Sequence, residues 1–81
     1  MLMNTLIEDT MKLEYLTSIG QWTKTAAAGM NFGATATALA FAEQQPIDKF
    51  NIVGYFPANK QFINLVHGRG KGISKGGSNL P

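Results

Sequence analysis

The sequence predicts an α+β protein, with two N-terminal helices followed by a β-hairpin and a flexible basic glycine-rich tail. Three observations carry that expectation. Apolar residues recur at helical spacing over residues 4–24, an alanine-rich segment follows at 31–45, and two runs of strand formers after Pro46 flank a turn sequence. An all-α arrangement is the alternative.

The first helix is read over 4–24 because Asn4 or Thr5 can cap its start and no proline interrupts it. Glu8 and Asp9 fall in its first turns, where acidic side chains favour the positive end of the helix dipole. Gly20 is its weakest position. At about 100° per residue, Ile7, Met11, Tyr15, Ile19 and Trp22 form one apolar arc, while Leu2, Leu6, Leu13 and Leu16 gather on the far side. A helix apolar on two sides needs two covers, so the second must come from the rest of the chain or from another molecule. The first arc, Tyr15 and Trp22 included, is therefore the candidate interface.

Thr25 to Ala42 is a run of 18 residues without charge, built mostly of Ala, Gly and Thr. A membrane span needs about 20 predominantly apolar residues, and the threonines, Asn31 and the glycines dilute this one, so membrane insertion in the manner of a pilin-like subunit is a less favoured reading. Gly29 and Gly33 form a G-x-x-x-G spacing that allows two backbones to approach closely, and they join the interface candidates. Alanine favours a helix over 31–45, ended by Pro46, although the alternation from Ala34 to Ala42 also suits a strand. Ala40-Phe41-Ala42 has the small-x-small form of a leader cleavage site, an alternative that would make the preceding run part of a long leader.

Beyond Pro46, Phe50, Ile52, Val53, Tyr55 and Phe56 are followed by Phe62, Ile63, Leu65 and Val66. Pro57-Ala58-Asn59-Lys60 lies between them, which predicts a hairpin over about 49–66 with a four-residue loop. Setting Phe56 opposite Gln61 places Tyr55 opposite Phe62 and Val53 opposite Asn64. The single domain is accordingly expected over 1–66, with the tail at 67–81.

Charge is divided along the chain. Residues 1–45 carry four acids and two lysines, −2, whereas the remainder carries five bases and only Asp48 as an acid, +4. Arg69, Lys71 and Lys75, spaced by glycines, are the candidates for binding an anion or nucleic acid. The tail has no G-x-x-x-x-G-K-[ST] loop, and its Gly68, Gly70 and Gly72 do not have dinucleotide-fingerprint spacing. With no cysteine there is no thiolate metal site, and His67 is the one imidazole that could act as a base; a triad would also need a buried orienting acid, so nucleophilic catalysis is unsupported. No catalytic residue, metal site or cofactor is expected, and no cellular location is indicated.

Small domains hide only about 60% of their unfolded surface, so this much apolar surface on a short chain argues for contact with other molecules. The function expected is a non-enzymatic structural or assembly protein, a subunit or accessory component of a larger complex such as a virion, filament or secretion apparatus. Its partner would be itself or another protein. A small nucleic-acid-binding regulator acting through the basic tail is the alternative.

Overall fold

A computed structural model describes residues 2–18 and 20–72 of the chain. Its core is one antiparallel sheet of five strands: β1 (Asn4–Asp9), β2 (Glu14–Leu16), β3 (Trp22–Thr23), β4 (Lys49–Phe56) and β5 (Gln61–Arg69). Their spatial order is β3-β2-β1-β4-β5. One helix, α1 (Thr35–Ala42), crosses one face, and a 3₁₀ turn at Ala26–Ala28 lies on the chain between β3 and α1.

The fold therefore corrects the expectation of two N-terminal helices followed by a hairpin, and the all-α alternative with it. Residues 4–24 form three short strands, and the expected 31–45 helix is confined to Thr35–Ala42. The cause lies in the two-sided apolarity of the first segment. Successive strand residues point to opposite faces, so adjacent Leu6 and Ile7 enter different clusters, and both are fully buried. What reads as a helix with two greasy arcs is a strand covered on both sides.

The β1–β2 turn has no glycine, proline or asparagine. Asp9 replaces those signals, its Oδ1 accepting the Met11 N–H at 2.9 Å while its carbonyl accepts the Leu13 N–H at 2.7 Å. Leu13 closes the turn at φ 57°, a left-handed conformation that a side chain resists. Gly20 takes φ 80° before β3, where the left-handed region costs glycine nothing.

On the helix face, Ile7, Leu16, Phe50 and Ile52 pack against Ala38 and Ala42 of α1 and against Ile47. The two alanines are fully buried, which lets the helix axis sit close to the sheet. No side chain caps the start of α1, so its eight residues are held by packing rather than by helix propensity. On the other face Leu6, Val53 and Tyr55 are buried, with Tyr15 and Ala26 packed against them. Between the two faces the chain passes the free side of early β1. There Asn31 Oδ1 accepts the Thr5 and Gly33 N–H groups, and the Phe32 N–H donates to the Thr5 carbonyl.

The hairpin of β4 and β5 has the expected register, with Phe56 opposite Gln61, Tyr55 opposite Phe62 and Val53 opposite Asn64. Lys60 closes its turn in the left-handed region, at φ 58°. The register shifts between Ile52 and Val53, which leaves Leu65 as an extra residue, and Leu65 and Val66 both pack toward the helix-side core.

β5 continues through His67, Gly68 and Arg69, the first residues of the expected tail. Gly70, Lys71 and Gly72 donate backbone N–H groups to the carbonyls of Asp48, Gln45 and Ile47. Two of these glycines are there for close approach rather than for flexibility. A Cβ on Gly68 would lie 2.7 Å from the buried Phe50 ring, and one on Gly70 would lie 2.6 Å from the Ile47 carbonyl oxygen. Gly68→Ala and Gly70→Ala are each expected to destabilise the fold by about 1–3 kcal/mol in urea denaturation. Asn64→Ala, on the exposed edge, should change it by less than about 0.5 kcal/mol.

Candidate functional site

The most exposed large apolar side chains within the strands are neighbours at the start of β5. Phe62 is 45% exposed and Ile63 is 46% exposed, although both belong to a regular hairpin. The reason is local: β5 is the outermost strand and α1 covers the sheet nearer its middle, so the hairpin end extends past its cover. Gly54 is buried here beneath Met3 and Ile63 on the helix side, since a Cβ at that position would meet the sulfur of Met3. Leu2 is exposed two residues before β1.

Phe62 belongs to an aromatic group on the face away from the helix. Its ring centroid lies 4.8 Å from that of Tyr55 and 6.0 Å from that of Tyr15, the latter pair stacked at 13°. Three strands therefore contribute one aromatic surface, with Tyr55 buried behind and Phe62 outermost. Beside it a polar chain crosses the sheet. His67 Nδ1 and Asn51 Oδ1 are 2.6 Å apart, and Asn51 Nδ2 donates to Glu8 Oε1 at 3.5 Å. Asn51 thus links the Glu8 carboxylate of β1 to the His67 imidazole of β5.

The free edge of β5 adds backbone to this surface. From Gln61 to Val66 the strand carries no charge, and among the described residues it pairs only with β4, so that within them its outward N–H and C=O groups have no neighbouring strand. Lys60 and Arg69 lie at the two ends of this stretch. The bulge at Leu65 bends its second half and leaves Gln61–Asn64 as the regular, exposed part.

The residues singled out from the sequence are not brought together. Ile7 is wholly inside the helix-side core, and Tyr15 lies on the aromatic face. Met11 is 68% exposed in the β1–β2 turn, and Trp22 packs against the helix-side core while lining a cleft beside that turn. Gly29 lies against Tyr15 and Leu6 of its own chain, and Gly33 takes φ 83° before α1, so the pair is not a helix face. Arg69 is exposed at the end of β5, 3.9 Å from Asp48, and Lys71 is exposed beyond it. Ile19 and Lys75 lie outside the described residues. Phe62 and Ile63 are not among the interface residues that the sequence suggests, although Phe62 with Tyr55 reads there as an aromatic face able to stack bases if left open. The available signal was two adjacent large apolar residues directly after a turn, which send one side chain to each face and call for two covers.

Among the described residues no three His, Asp or Glu side chains converge as metal ligands, and no helix is long and apolar enough to cross a membrane. No protein-family model matches the chain, and neither the curated proteins nor the solved structures contain a match.

Burial first, then the Glu8 carboxylate and then Tyr55, raise the pKa of Tyr15 above the ordinary tyrosine value. A phenol whose pKa is raised by folding stabilises the fold in its neutral form, and that contribution is lost as pH rises through the raised value. The urea midpoint is therefore expected to fall as pH is taken above about 10, and to fall less steeply in Tyr15→Phe. Parallel curves for the two proteins would show that Tyr15 is not responsible.

Proposed function

We propose that the protein is a non-enzymatic assembly unit that joins a second copy of itself by extending its sheet at the β5 edge. The observation that carries this reading is the uncharged, regular Gln61–Asn64 edge with Phe62 and Ile63 exposed on its two sides. Unpaired strand edges bind other strands through backbone hydrogen bonds, and exposed side chains on alternate faces set the register.

The side chains suit a two-fold antiparallel pairing. Centred on Phe62, it sets Phe62 against Phe62 of the second copy, Gln61 against Ile63, and Lys60 against Asn64, so no charge meets its like. The facing phenylalanines join the two aromatic groups, and cross-strand aromatic pairs add about 0.2–1 kcal/mol each. Strand pairing alone buries less than a standard interface, so the association is weak and reversible. The support differs from that expected from sequence, because the two-sided helix that argued for a partner is a strand covered by its own chain.

Sedimentation equilibrium over a concentration series tests the proposal. The wild type is expected to dimerise on the order of micromolar to millimolar concentration, and Phe62→Lys with Ile63→Lys to remain monomeric with an unchanged circular dichroism spectrum. A wild type that stays monomeric throughout, or a double variant that dimerises equally well, would sink it.

A further inference from the structure

The cleft beside Trp22 holds a charge that the fold does not explain. It has a volume of about 370 Å³ and is bounded by Asp9, Met11, Lys12, Trp22, Pro46, Ile47 and Asp48, where the β1–β2 turn, β3 and the loop before β4 meet. That volume lies within the range of small-ligand sites. Asp9 is only 5% exposed. Among the described residues, its side chain makes one hydrogen bond, Oδ1 to the Met11 N–H, and no cationic nitrogen lies within 4.0 Å of it.

The turn needs an acceptor at this position but not a charge, because asparagine builds the same turn. A buried carboxylate without a counter-charge is costly, and a positive group in the cleft would offset that cost. The walls favour an organic cation over a bare metal ion. Trp22 offers an indole, the strongest aromatic partner for a cation, and Met11 and Ile47 offer apolar contact for an alkyl chain. Asp48 adds a second carboxylate at the rim, held only by a long, exposed contact with Arg69. We infer that this cleft binds a small alkylammonium or alkylguanidinium molecule, with Asp9 pairing the charged head and Trp22 covering it. Lys12, also on the rim, opposes that binding by its own charge.

Trp22 is the only tryptophan, so its fluorescence reports on the cleft without a label. Full-length protein would be titrated with agmatine and with n-butylamine, using n-butanol as the uncharged control and sodium chloride at matched ionic strength. Saturable change with the two cations but not with the controls is expected. Asp9→Asn, which keeps the turn acceptor, is expected to weaken agmatine binding at least about tenfold. Lys12→Ala is expected to tighten it, and Asp48→Asn to weaken it several-fold, and these two decide the matter if Asp9→Asn does not fold. No saturable change in fluorescence or in amide chemical shifts up to about 20 mM ligand, a level far weaker than specific recognition, would overturn the inference. So would equal binding by butanol, or affinities that none of the three substitutions alters.

Discussion

Strand β1 is covered on both faces, and the arrangement of the rest of the chain follows from that. It pairs with β4 through six residues, from Asn4 opposite Tyr55 to Asp9 opposite Phe50, and with β2 only through Glu8 and Asp9. Leu6 and Ile7, fully buried on opposite faces, need separate covers from a chain of 81 residues. The helix supplies one and the 3₁₀ turn with Tyr15 supplies the other. To connect these covers the chain must pass around the sheet, which it does beside β1 where β2 has departed. Asn31 and Phe32 occupy that side through hydrogen bonds to Thr5, so the crossing also satisfies backbone groups that would otherwise be buried without partners.

Among the described residues, those that cover the centre twice do not reach the margin. α1 is short, and its buried alanines bring it against β1, β4 and the latter half of β5, so the hairpin end near Phe62 and Ile63 extends beyond it. The exposure at that end falls within a regular hairpin rather than in a loop. The bulge at Leu65 acts in the opposite sense. By turning Leu65 and Val66 together toward the helix-side core, it hides residues that would otherwise prolong the apolar edge. The edge open to a partner is thereby short, which favours a defined pairing over indefinite stacking.

The β4–β5 hairpin was legible because its information is local. Pro57 to Lys60 provides the turn, and the alternation on either side fixes which residues face each other. The N-terminal strands were illegible for the converse reason. β1 pairs across more than forty residues with β4, beyond any local window, and the turn after it is made of Thr10, Met11, Lys12 and Leu13, which carry no turn signature. Leu13 accepts a left-handed backbone because Asp9 secures the turn at both its side chain and its carbonyl. The contradiction visible beforehand was the second apolar arc, which a surface helix does not need and a central strand requires. Of the interface residues read from the first arc, Ile7 and Trp22 belong to the core and its cleft, because helical spacing groups residues that a sheet separates.

Asp9 serves the β1–β2 turn and not the helix start that the sequence suggested, and the turn does not account for its charge. As a helix-start acid it had an adequate sequence rationale, and as a turn residue it has an adequate structural one, yet neither makes use of its burial beside Trp22. The turn consumes Oδ1 and is indifferent to charge, so the negative charge must be judged by what faces it. The described surroundings offer an indole, a thioether, a second carboxylate and a lysine on the rim that does not reach it. A buried carboxylate with one hydrogen bond and no counter-charge bears a desolvation cost that a cation would offset. In so thin a core, where few contacts could absorb that cost, a ligand cation is the physically economical counterpart.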